Sequence, residues 1–196
     1  MAMVIEKMVE CGKRILMAVG ATIYKSHLNI ANMDTHYYAE HTLVLAKHPS
    51  ESDLRLMVRL VAFAFNADEA LEFTKGISQD DEPDLWRKSL SGDIELWIDI
   101  GQPEEKRLRK ASGRAEKVMI YIYQEGSGRA WLKQNEKFLR RFENLSVIFL
   151  EIEGDLEALA HRNMELQCNI SDAEMTLIGE ERSVTIVRRL WKGERL

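Results

Sequence analysis

The stretch DEPDLWRKSLSGDIELWIDIGQPEEKRLRKA, residues 81–111, decides the fold. Closed by a two-residue turn at Ser91-Gly92, it becomes an antiparallel hairpin that pairs Leu90 with Asp93, Lys88 with Glu95, Trp86 with Trp97 and Asp84 with Asp99. One face then carries Leu85, Ile94, Leu96, Ile98 and Ile100 and belongs to a core. The other ends in two aspartates side by side, Cβ atoms about 5 Å apart, a pairing that a sheet disfavours. That separation suits a shared divalent cation, because hard oxygen ligands reach Mg²⁺ at about 2.1 Å. The same pattern also fits a solvated face on which Lys88 and Glu95 form a surface ion pair and water screens the aspartates.

Before this hairpin, ATIYKSHLNIA (residues 21–31) alternates apolar Tyr24, Leu28 and Ile30 with polar Lys25, His27 and Asn29, and YYAEHTLVLA (residues 37–46) follows a turn-like NMD. A first antiparallel hairpin is expected there. Residues 48–70 then offer Ser50 as N-cap with Asp53 three residues on, and apolar side chains on two sides of a helix, leaving Ser52, Arg55 and Arg59 as a polar stripe.

After it, Pro103, early acids and late bases mark a helix over about 103–115. KVMIYIY (117–123) and LSVIFLE (145–151) are apolar on both faces and flank a helical 129–144, the signature of parallel strands joined by a crossover. A short helix near 156–161 precedes MELQCNI, EMTLI and SVTIVRRLW, three alternating segments at turn spacing that predict a closing antiparallel meander. The reading is one α/β domain over residues 17–196, a mixed sheet flanked by helices.

The 196 residues are 45% hydrophobic with 3 Pro and 11 Gly, enough for one sizeable core. A formal charge of −5 argues against coating nucleic acid or membrane by bulk electrostatics, so any such contact must be local. Cys11 and Cys168 have no metal or redox spacing, in keeping with a reducing cytoplasm. Charged residues break up the apolar positions of residues 1–16, so no signal or membrane span is expected there, only an accessory extension.

ATIYK, HPSE, DDEPDLW, IELWIDIG and LSVIFLE, in this order and spacing, resemble the YaeQ family of small bacterial proteins from about Ala21 onward. The resemblance implies a variant of the PD-(D/E)XK nuclease fold, in which metal acids sit on a hairpin. Pro83-Asp84 then corresponds to the PD and Asp99 to the (D/E), while the lysine expected two residues later is replaced by Gly101. A cation could come instead from the next helix, Lys110 first, then Lys106 and Arg107. Glu51 is a further candidate metal ligand, the superfamily often adding an acid from its first core helix. With Mg²⁺ or Mn²⁺, such a site activates water and neutralises charge growing on a phosphodiester.

These residues support three functional classes. The first is a metal-dependent nuclease, with Lys106 to Lys117 or Arg129 to Arg141 as the local basic surface for nucleic acid. The second is a catalytically degenerate nuclease fold that binds nucleic acid or protein, with a role near transcription. The third is an interaction protein that self-associates through the meander edge or the amino-terminal segment. For single residues the structural readings are a loop hydrogen-bonder for His48 and a cross-strand pair for Trp86 and Trp97, against base stacking. His161 and Cys168 have no matching partners.

Overall fold

The computed structural model describes residues 20–74 and 81–193; the expected 1–16 extension lies outside them. Ten strands, three α-helices and a 3₁₀ turn follow one another in this span. The first hairpin is β1 (Thr22–Asn32) and β2 (Tyr37–Lys47), then come α1 (Asp53–Phe65) and the short β3 (Leu71–Phe73). β4 (Leu85–Lys88) and β5 (Ile94–Ile100) form the second hairpin, followed by α2 (Glu105–Arg114), β6 (Ala115–Ile122), α3 (Glu125–Leu139) and β7 (Leu145–Glu153). The 3₁₀ turn (Glu157–Leu159) leads into β8 (Asn163–Ser171), β9 (Glu174–Ile178) and β10 (Ser183–Lys192).

All strands join one mixed sheet in the order β2-β1-β8-β9-β10-β7-β6-β5-β4-β3. β1–β8, β5–β6 and β6–β7 are parallel, and the meander β8-β9-β10 is antiparallel as expected. The fold is mostly sheet, curled until it is nearly closed. A single apolar cluster therefore draws on strands near both edges, from Leu45 of β2 to Leu71 of β3, around α1. Helix α1 is thus enclosed by the sheet instead of flanking it, and every residue from Leu56 to Phe65 is buried. Each large apolar side chain there contributes about 1.5–3 kcal/mol by leaving water. Truncating fully buried Leu60 to Ala would cost about 2–5 kcal/mol.

On the outer face, Trp97, Val118, Ile120, Ile122 and Val147 pack against Leu108 and Ala111 of α2 and Trp131 and Leu139 of α3. Covered on both sides, β5 to β7 need the unbroken apolar runs seen in the sequence.

Three local expectations are corrected. The α1 N-cap is Ser52, whose Oγ accepts from the Arg55 N–H at 3.1 Å, while the Ser50 Oγ is engaged with His48 Nδ1 at 2.7 Å. The expected short helix at 156–161 is a 3₁₀ turn, and β3 has no strong pattern in its three residues. The second hairpin turns through Leu90, Ser91 and Gly92, with Gly92 N–H bonded to Ser89 O and Ser89 N–H to Asp93 O. Gly92 stands at φ 93°, the left-handed conformation that three-residue loops require. This breaks the expected Leu90–Asp93 and Lys88–Glu95 pairs, and Lys88 faces Ile94. A bulge between Lys88 and Arg87 then adds one residue to β5 and restores the register, so Trp86 still faces Trp97.

Candidate functional site

The restored register carries Asp84 and Asp99 to one end of the hairpin. Asp84 donates its N–H to Ile98 O (2.9 Å), and its Oδ2 accepts the Ile100 N–H (2.8 Å), which fixes the carboxylate by its own strand partner. Asp99 follows Trp97 on the same face and accepts the Trp97 indole N–H at 3.0 Å. Both acids line a cleft of about 340 Å³ with Arg55, Ile100, Gln102, Pro103 and Arg107. The Trp131 indole donates to Pro103 O (3.1 Å) and pins the loop that forms one wall.

Glu51, Asp84 and Asp99 are each held by arginine. Arg55 Nη2 reaches both Asp84 oxygens, at 2.8 and 2.9 Å, and its Nη1 donates to Glu51 Oε1 at 2.9 Å. Arg59, fully buried, donates from Nη1 to both Glu51 oxygens (3.3 and 3.1 Å) and to Ala46 O (3.2 Å). Arg107 grips Asp99 from α2 by Nε and Nη2. The carboxylate side chains of Glu51, Asp84 and Asp99 are only 1–4% exposed, so unpaired ionisation would be very costly. Three guanidinium groups offset three carboxylates, and charge-assisted pairs of this kind tolerate burial.

The electrostatics follow from this packing. Burial pushes the Asp99 carboxyl above its usual range; the Arg107 ion pair opposes the shift and Asp84 adds to it. Burial alone would lower the Arg55 pKa, but Asp84 and Glu51 raise it overall, so Arg55 is cationic at every ordinary pH. Tyr123, just after β6, feels the same charges, and burial raises its phenol pKa.

A family model described as YaeQ protein matches residues 17–188. The chain belongs to the YaeQ family. It is 38% identical over 178 residues to the YaeQ protein of Escherichia coli strain K12, covering 90% of this chain and 98% of that one. The crystal structure of YaeQ from Xanthomonas axonopodis pv. citri superposes with a TM-score of 0.83 at 43% identity, over 89% of this chain and 99% of the other. The YaeQ structure from Pseudomonas syringae gives 0.82 at 32% identity, with 89% and 97% covered.

In this YaeQ-family chain the structure gathers Asp84, Asp99, Glu51 and Arg107 at one end of the sheet. Lys106 is exposed and Lys110 pairs with Asp81, so neither lines the cleft and Arg107 supplies the cation from α2. His48 is bonded within its loop to Ser50. Trp97 is fully buried and unable to stack a base, while Lys88 Nζ lies 3.3 Å from the centre of the Trp86 ring. Cys168 is buried in β8, and His161 lines a separate cleft with Glu180, Glu181 and Arg182.

Arg55 and Arg59 were legible only as a polar stripe. The signal that could have exposed them is the Glu51, Arg55, Arg59 run at i, i+4, i+8, which places an acid and two bases on one helical line.

The arrangement does not fit a resident Mg²⁺ or Mn²⁺. The oxygens of Asp84, Asp99 and Glu51 already accept hydrogen bonds from guanidinium, indole or backbone donors. Among the described residues no group of three His, Cys, Asp or Glu side chains is disposed to hold a metal ion. Gly101, two residues after Asp99, stands at φ 98°. Among the described residues no helix is long and apolar enough to cross a membrane.

Proposed function

We propose that this protein binds nucleic acid through its phosphodiester backbone without cutting it, on a variant of the PD-(D/E)XK hairpin in which arginines occupy the place of the metal. The observation that carries this reading is the paired grip of Arg55 on Asp84 and of Arg107 on Asp99. A nuclease of this type needs its acids free for a cation and a positive group aimed at the scissile phosphate. Here the acids are neutralised from within the chain, and Gly101 holds a left-handed conformation that disfavours lysine.

The charges within the cleft cancel, but the part that meets solvent is positive, because the carboxylates are only 1–4% exposed. The Arg55 and Arg107 side chains are 16% and 25% exposed, and Lys106, Arg109 and Arg114 continue along the open side of α2. On a chain of net charge −5 this is a local attraction, so affinity falls steeply with salt.

Binding of single- and double-stranded DNA and RNA should be measured against salt, once in EDTA and once in Mn²⁺. The expected result is salt-sensitive binding that ignores the metal, no cleavage in either buffer, and a salt slope about one unit shallower in Lys106→Gln. Mn²⁺-dependent cleavage that disappears in both Asp84→Ala and Asp99→Ala would replace this reading with the nuclease.

A further inference from the structure

Arg55 and Arg59 share two carboxylates unequally. Arg55 lies at the cleft, holds both Asp84 oxygens through Nη2 and reaches Glu51 through Nη1; Arg59 lies behind it, fully buried, and hydrogen-bonds only through Nη1. Its Nε and Nη2 have no hydrogen-bond partner among the described residues, although Nε stands 3.9 Å from Asp84 Oδ1. The Phe73 ring, 5.5 Å from the guanidinium carbon, covers the group without accepting a conventional hydrogen bond. Buried guanidinium donors left unused within about 1 Å of hydrogen-bonding reach of an acid are uncommon in a relaxed core and call for a second state in which they are used.

We infer that Arg55 is a displaceable arginine: when a phosphate oxyanion enters the cleft, Arg55 swings from Asp84 onto it, and Arg59 Nε closes on Asp84 in its place. This inference rests on the proposed function and names the residue that performs it. Before the exchange Asp84 is neutralised by Arg55, and after it by Arg59, so no bare carboxylate faces the incoming anion. The Ile100 N–H holds Asp84 in position throughout. Arg107 stays on Asp99 and supplies the fixed positive wall on the other side of the cleft. The guanidinium fork suits phosphate, which accepts paired N–H donors as a carboxylate does.

The source of the phosphate is separable by probe. An oligonucleotide presents only backbone diesters, whereas inorganic phosphate and a nucleoside monophosphate present a free oxyanion. All three should be titrated in EDTA at low salt against the parent, Arg55→Gln, Arg55→Lys and Arg59→Lys, with ¹⁵N NMR of the arginine Nε–H signals. The inference expects Arg55→Gln to fold and bind about tenfold or more weakly, Arg55→Lys to bind weakly despite its charge, and the parent Arg59 Nε–H signal to move downfield on binding. Arg59→Lys, which loses Nε but keeps a charge near Glu51, should also bind weakly, because Arg55 can no longer leave Asp84.

Tighter binding of the oligonucleotide than of the two small probes identifies a backbone diester, and the reverse order a terminal phosphate. Parent protein that binds none of the three overturns both this inference and the proposed function. Parent that binds while Arg55→Gln binds equally well, or while the Arg59 signal stays still, overturns the displacement alone.

Discussion

Arg107 holds Asp99 by two hydrogen bonds, Nε to Oδ2 at 2.9 Å and Nη2 to Oδ1 at 2.7 Å, and the same Nη2 donates to Glu82 O at 2.7 Å. One side chain of α2 thereby ties β5 to the chain entering β4. Its loss leaves a carboxylate that is 2% exposed with the Trp97 indole N–H as its remaining side-chain donor among the described residues.

Arg107→Gln is expected to lose about 3 kcal/mol of stability at neutral pH, the usual result of removing one partner from a buried pair. The Asp99 carboxyl is already raised by burial, so the native state binds this proton more tightly than the unfolded chain does. Its contribution favours folding at low pH and is lost as pH rises through the folded value. Without Arg107 the folded value climbs further. Urea unfolding at about pH 7 and about pH 5 should show the deficit shrinking at the lower pH. A deficit that does not change with pH would mean that Arg107 acts through packing and not through Asp99.

Gly101 separates backbone strain from crowding. A Cβ there would meet nothing within 4 Å, yet φ is 98°. Gly101→Ala and Gly101→Lys should therefore cost the same, about 1–2 kcal/mol, by thermal unfolding. A lysine variant clearly more stable than the alanine variant would show that its ammonium has found the carboxylates of the cleft.

Two glycines near the start of α3 should respond with opposite signs. Gly126 has open space around it, so Gly126→Ala gains up to about 1 kcal/mol from helix propensity. A Cβ on Gly128 would clash with Ile122 Cγ2 and stand 3.2 Å from the Trp191 ring, so Gly128→Ala should lose about 1–3 kcal/mol by overpacking. Chemical denaturation of both variants tests the pair; a neutral Gly128→Ala would mean that α3 can lift from the sheet without loss.

Cys168 is fully buried, and burial pushes its thiol up to about 12. In a Cys11→Ser background it should resist a thiol reagent in native buffer and react at once in denaturant. Labelling in native buffer at the rate of a free thiol would show that β8 opens readily.

How much of this was legible in the sequence depended on range. The Trp86–Trp97 register could be read although the turn was misjudged, because the bulge at β5 cancels the extra loop residue. The apolar runs of β6 and β7 announced strands covered on both faces, and 3.6-residue periodicity announced α1. Arg59 read only as part of a polar stripe because nothing local names its partners; the curl of the sheet closes over it, and Asp84, the second carboxylate beside it, lies 25 positions on. The pairing of β1 with β8 was equally hidden, since alternation shows that a strand has a buried face but not which strand lies beside it.

That last pairing bears on how the chain reaches its native state. Residues 25–32 lie beside residues 163–170, so the parallel β1–β8 ladder forms only after most of the chain has left the ribosome. Until then the β1–β2 hairpin and the apolar surface of α1 have no lid, and the hairpin edge that β8 will occupy is open to any passing strand. Contacts this remote in sequence make for slow closure. Chaperone shortage should therefore aggregate the nascent protein well before it harms the finished one.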